Sequence, residues 1–147
     1  FDEDGLYWHP DHIAIHRATT AAVASMGPDA PALYYVSTPV GSMRTLLDAV
    51  KDRVPADKRS ILGVDDVDAF GTLVPAPDLF LNVAARAPRK LSAILCHQTQ
   101  VRGGPFSVMT DAEATRFLAV ECVRRAPVGN TSELILEPFL EPVRQGT

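Results

Sequence analysis

Tyr7-Trp8-His9-Pro10-Asp11-His12-Ile13-Ala14-Ile15-His16-Arg17-Ala18 decides how this chain is read, because it sets three of the four histidines and a carboxylate within about two turns of an expected helix. Pro10 suits a first helical turn, where its missing N–H costs nothing, and the run continues through Thr19-Thr20-Ala21-Ala22-Val23-Ala24 toward Gly27-Pro28. The spacing predicts a helix over 10–26. At roughly 100° per residue, positions 9, 12 and 16 fall within about 60° of one another, so His9, His12 and His16 share one face if His9 sits in the first turn. Asp11 points elsewhere, where it can still brace a histidine by fixing which ring nitrogen faces a metal. Imidazoles and a carboxylate are ordinary zinc ligands, and a catalytic zinc takes three protein ligands and leaves a fourth position for water. The same residues also suit a solvated helix terminus, and spacing alone does not separate the two. No HExxH, paired CxxC or facial triad completes a site within the chain.

Composition narrows the classes. With 147 residues, of which 46% are hydrophobic, the chain is long enough to bury one core and too short to argue for two domains. Its net charge of −4 is mild and its Lys and Arg are spread along the sequence, which argues against a nucleic-acid partner or an acidic membrane surface. No apolar run approaches the ~20 residues of a membrane span, and no signal peptide is visible. Cys96 and Cys122 fall in expected helices with apolar neighbours, at a spacing that makes neither a disulfide framework nor a zinc knuckle. They read as buried reduced thiols, and a reducing, cytoplasmic compartment is expected.

Helices and strands alternate along the chain. Ala32-Leu33-Tyr34-Tyr35-Val36-Ser37, bounded by Pro31 and Pro39, reads as a short strand, and 42–50 as a helix. The span 55–77 reads as irregular, and its acidic run Val64-Asp65-Asp66-Val67-Asp68 as solvated or capping carboxylates, because nothing nearby adds a complementary ligand. Leu79-Phe80-Leu81-Asn82-Val83 is a second strand; Pro88 opens a helix to about Val101, which Arg102-Gly103-Gly104-Pro105 breaks. Thr110-Asp111-Ala112-Glu113 has the S/T-x-x-E form of a capping box and predicts a helix over 111–125, and Ser132-Glu133-Leu134-Ile135-Leu136-Glu137 reads as a closing strand. The alternation favours α/β layers.

Two stretches together carry a specific resemblance. Tyr7 to Ala18 resembles the second motif of the LmbE-like, or PIG-L, family of zinc-dependent de-N-acetylases. Arg89-Lys90-Leu91-Ser92-Ala93-Ile94-Leu95-Cys96-His97-Gln98-Thr99-Gln100 is similar to the family's later helix with its Lys-x-x-Ala…His-x-x-Gln pattern, and the order and distance of the two motifs fit. The resemblance implies an α/β fold, a Rossmann-like three-layer sandwich. It implies that His12 is a zinc ligand, that His9 lies by the reacting carbonyl and helps stabilise the tetrahedral intermediate, that Tyr7 stands at the mouth of the site, and that Asp11 is the bracing residue. It assigns nothing to His16 or His97, and a packed or capping role is expected of His97. Zinc is the implied metal, although iron, cobalt or manganese suits the same ligand geometry.

The chain departs from the family in one large respect. The family opens with a His-Pro-Asp-Asp-Glu motif that brings another zinc-binding His and Asp and the Asp acting as general base, and this sequence has none. Residues 1–147 are therefore expected to be the C-terminal portion of a single such domain, an N-terminally incomplete part of the sandwich. The intact protein is expected to remove an acyl group from a small-molecule N-acylated amino sugar or related conjugate, with this chain inactive alone. The alternative is a non-catalytic module on the same fold that binds a glycan or a protein. In that case an apolar sheet edge promotes association with another chain.

Overall fold

A computed structural model describes residues 1–71 and 76–130. The expected strand at Ser132–Glu137 lies outside the described residues. The described chain is mixed α/β and divides into two compact units: residues 1–39 with 71, 76–82 and 121–130, and Val40–Phe70 with Val83–Val120.

In the first unit, α1 is one distorted turn, Gly5–Trp8, in which Leu6 and Trp8 join Gly5 at positive φ (70°, 67° and 58°). The expected long helix follows as α2, Pro10–Ser25, with His9 as its N-cap and Pro10 in its first turn. Its alanine-rich sequence favours helix strongly. Yet α2 buries only Val23, so apolar contact is not what fixes it against the unit. A polar stripe at four-residue spacing does that instead. His12 donates to the Gly5 carbonyl, His16 donates to the Phe1 carbonyl, and Thr20 shares a 2.8 Å hydrogen bond with the Tyr35 hydroxyl. Each such bond contributes about 0.5–1.5 kcal/mol net.

Strand β1, Ala32–Val36, follows where the β-rich run predicts it. The sheet has three strands in the order β1-β3-β2, where β2 is Leu79–Asn82 and β3 is Val120–Gly129. β1 and β3 pair antiparallel, with Tyr35 opposite Arg124 and Val36 opposite Val123. Asp2, fully buried, grips Arg124 with both carboxylate oxygens at 2.5 and 3.0 Å, which ties the segment before α2 to the central strand. Gly129 closes the far end of β3 at φ 85°, and a Cβ there would stand 2.3 Å from the Pro31 carbonyl oxygen.

The second unit opens with α3, Ser42–Val50, whose Leu46, Leu47 and Val50 are buried. The irregular stretch that follows holds Val54, Ile61, Val67 and Phe70 in the core. Its acidic run behaves as solvated and capping carboxylates: Asp66 accepts from the Asp68 N–H, and Asp68 pairs with Arg44 at 2.5 Å. The helix expected over 88–101 is two pieces, α4 at Ala87–Leu95 and α5 at Gln98–Val101. Cys96 and His97 close the first with hydrogen bonds to Ala93 and Ile94, three residues back. The residues from Cys96 to Gln100 are exposed and offer no apolar stripe to hold another turn. Two expectations fall with that break: Cys96 is exposed rather than buried, and His97 is exposed at the start of α5 with no side-chain cap.

The capping box is realised in α6, Asp111–Leu118: Thr110 Oγ1 accepts from the Glu113 N–H, and the Glu113 carboxylate accepts from the Thr110 N–H. Those bonds, with Arg53 beside them, hold the Glu113 carboxyl below its ordinary pKa. The helix stops at Leu118, where the expected one ran to Arg125, because the chain turns into β3 and Cys122 becomes a half-buried strand residue. Lys90, from the second family-like stretch, donates to the Leu118 carbonyl at 3.0 Å and closes the end of α6.

Candidate active site

The site is built where α1 meets the start of α2. Because Gly5 takes a positive φ and its missing Cβ would sit 3.0 Å from His12 Cβ and Ile13 Cγ1, the turn passes close over the first coil of the helix. That approach brings the Gly5 carbonyl to His12 Nδ1 at 3.0 Å. A carbonyl oxygen only accepts, so Nδ1 carries a proton, and in the neutral ring Nε2 keeps its lone pair. This is the form in which a histidine ligates a metal.

His9 is held the opposite way. As N-cap of α2 it accepts the Asp11 backbone N–H on Nδ1 at 3.2 Å, which leaves the ring proton on Nε2. The two rings lie 4.7 Å apart, tilted by 32°. Tyr7 stands edge-on to both, at 5.8 Å from His9 and 5.4 Å from His12, and burial pushes its phenol above the ordinary pKa. Phe1 stacks on His12 at 3.8 Å and 5°, completing an aromatic wall around that imidazole.

The structure therefore brings Tyr7, His9 and His12 together and separates His16 from them. His16 donates to Phe1 and packs against Tyr35, 4.7 Å between ring centres. The orienting bonds on His9 and His12 come from backbone groups, the Asp11 N–H and the Gly5 carbonyl, while the Asp11 carboxylate is exposed in the first turn of α2. Among the described residues no group of three or more His, Cys, Asp or Glu side chains is placed to hold a metal ion. Beside Tyr7 and His9, His12 is the imidazole held with Nε2 free to ligate, and these residues do not complete a zinc site by themselves.

Asp2, Asp4 and Gly5 escape the sequence reading. Asp4 is 2% exposed: its Oδ1 accepts the Leu6 N–H at 2.9 Å, its Oδ2 has no hydrogen-bond partner, and burial raises its pKa. Phe1-Asp2-Glu3-Asp4-Gly5 carries three acids in a row, and only the path of the turn against α2 shows that two of them, Asp2 and Asp4, are buried.

Comparison with known sequences reaches the same class of protein that the motif resembles. Over the matched stretch, the chain is homologous to deacetylases of the LmbE-like (PIG-L) family. Its relatives include the 1D-myo-inositol 2-acetamido-2-deoxy-alpha-D-glucopyranoside deacetylase of Mycolicibacterium gilvum, 36% identical over 105 residues, which cover 71% of this chain and 36% of the relative. The same deacetylase of Acidothermus cellulolyticus is 34% identical over 124 residues, covering 82% of this chain and 42% of the relative. That of Kribbella flavida is 29% identical over 140 residues, covering 84% and 45%. The chain thus spans less than half the length of these curated relatives. No family model matches the chain. No solved structure matches it. Among the described residues, no helix is long and apolar enough to cross a membrane.

Proposed function

We propose that this chain is part of a metal-dependent amide hydrolase that removes an acetyl or similar acyl group from an N-acyl amino sugar or related conjugate. The opposed hydrogen bonding of His9 and His12, in a chain homologous to deacetylases, carries the proposal. In this reading residues 1–147 are a C-terminal portion of one Rossmann-like domain, and the rest of the metal site comes from residues outside the chain. Zinc suits an imidazole ligand, and other divalent transition metals share that preference.

Each residue then has a distinct task. His12 offers Nε2 to the metal while Gly5 fixes its tautomer. His9 offers the Nε2 proton to the oxygen of the substrate carbonyl, where negative charge gathers as the carbon becomes tetrahedral; one such donor is typically worth about 2.7–4 kcal/mol of barrier. Asp11 fixes His9 through its backbone N–H, and its carboxylate adds a negative charge at the helix N-terminus, a position that favours one. Tyr7, kept as a neutral phenol by burial, is a hydrogen-bond donor at the mouth of the site. Activation of water is not assigned to the described residues, because they do not complete a metal centre.

The test is acetate release from an N-acetylglucosaminyl conjugate by the full-length protein with and without added zinc. Zinc-dependent release supports the reading. Saturable sugar binding without release, at any metal concentration, replaces it with the binding-module alternative.

A further inference from the structure

Glu3, Asp4, Trp8, His16 and Arg17 line a groove of about 420 Å³ in the first unit, within the range of roughly 300–1,000 Å³ typical of small-molecule sites. None of the five has a task in the hydrolysis proposed above. The groove is built rather than incidental. Asp4 is 2% exposed and brings to it a carboxylate whose Oδ2 lacks any hydrogen-bond partner, and a buried acceptor is seldom left so without reason. His16 is oriented: Nδ1 donates to the Phe1 carbonyl at 3.1 Å, so Nε2 remains an acceptor. Trp8 leaves 47% of its surface exposed on a backbone held at φ 67°, a conformation that an indole-bearing residue seldom adopts without a local purpose.

The mixture of groups selects the ligand. A phosphate or other polyanion would meet Glu3 and Asp4, and a metal or ammonium cation would meet Arg17. A neutral polyhydroxylated ring suits all of them, since each hydroxyl both donates and accepts and the ring's C–H face is apolar enough to rest on an indole. Trp8 lies between Tyr7 and His9 in sequence, so the groove begins one residue from the histidine pair.

We propose that this groove binds a neutral sugar or cyclitol ring, the non-reacting part of the conjugate whose amide is cleaved. Trp8 lies under the ring, Asp4 and His16 receive its hydroxyls, and Arg17 donates to them. The inference rests on the hydrolase reading for the ligand's identity as substrate. It gives the remote part of the substrate a defined place, from which binding energy can orient the amide.

Trp8 is the only tryptophan, so its emission reports on the groove alone. The 147-residue chain is titrated with myo-inositol and with methyl α-D-glucopyranoside, with sodium phosphate and ethylammonium chloride as charged controls. The expected result is saturation by a neutral ring at a Kd on the order of millimolar, as suits so small a ligand. Asp4→Asn, which keeps the Oδ1 cap on Leu6, and Arg17→Ala should each weaken it about fivefold, with the fold of both variants confirmed by circular dichroism. No saturation by either ring, tighter binding of phosphate or ammonium, or full binding by both variants overturns the groove. Acetate release by the full-length protein without ring binding removes the groove and leaves the hydrolase reading. Ring binding without acetate release sustains the groove's chemistry and removes its place in hydrolysis.

Discussion

His9 and His12 stand 4.7 Å apart and are locked in opposite tautomers by two backbone groups, the Asp11 N–H on one Nδ1 and the Gly5 carbonyl on the other. Neighbouring imidazoles in one motif are thereby made chemically unlike, one a donor at Nε2 and one an acceptor.

That asymmetry is directly visible by nitrogen-15 NMR of the neutral rings near pH 8. The His9 spectrum should show the Nε2–H tautomer and the His12 spectrum the Nδ1–H tautomer. Finding both rings in one tautomer contradicts the division of labour.

Two glycines are required for reasons of space as well as backbone angle. Gly5→Ala adds a Cβ 3.0 Å from His12 at φ 58° and should destabilise by about 1–3 kcal/mol while disturbing the His12 resonances. Gly129→Ala, at 2.3 Å from the Pro31 oxygen, forces a backbone shift and should cost more, at least about 3 kcal/mol, with His12 unaffected. Urea unfolding with the NMR of His12 separates the two, and equal NMR effects from both substitutions would sink the claim that Gly5 orients the ligand.

The buried ion pair should be the strongest single tie between the first residues and the sheet. Asp2→Asn leaves the Arg124 guanidinium, 14% exposed, with only the exposed Glu3 carboxylate at 3.8 Å as a charge partner and should cost about 3 kcal/mol in urea unfolding. A loss below about 0.5 kcal/mol would be that of an exposed pair and would contradict the geometry.

Asp4 reverses the usual pH trend of a carboxylate. Burial, then the nearby Asp2 charge, raises its folded pKa above the unfolded value of 3.8. Between those two pKa values the folded state holds the proton and the unfolded state does not, so Asp4's contribution to stability falls as pH rises through that window. Asp4→Asn should therefore raise the thermal midpoint at neutral pH, and the gain should vanish as pH falls below about 4. A gain that persists unchanged at pH 3 would show that charge burial is not its source.

How much was legible in the sequence depended on how local the information was. α2, β1, α3 and β2 lie where proline boundaries and apolar periodicity place them, and the capping box marked the start of α6. The capping box marks where that helix begins and not where it ends, and the buried positions of β3, Val123 and Ala126, are three residues apart and so carry no strand alternation to mark the change. A shift of register explains that spacing: Ala32 and Tyr34 are two residues apart in β1, but their partners Gly129 and Arg125 are four apart in β3. Such an irregularity depends on a partner strand nearly a hundred residues away and leaves no local sign. The Tyr7-His9-His12 grouping was legible from the motif, whereas Gly5's grip on His12 and Asp4's burial were not, since both depend on the turn passing beneath the helix.

The most direct test of the central claim is the zinc content of the full-length protein with and without His12→Ala, with folding confirmed by circular dichroism. The account predicts one bound zinc per chain in the parent and a loss of affinity of more than about 100-fold in the variant, beyond the roughly 10–100-fold that removing an outer supporting group costs. Unchanged zinc stoichiometry and affinity in a folded His12→Ala protein would contradict it.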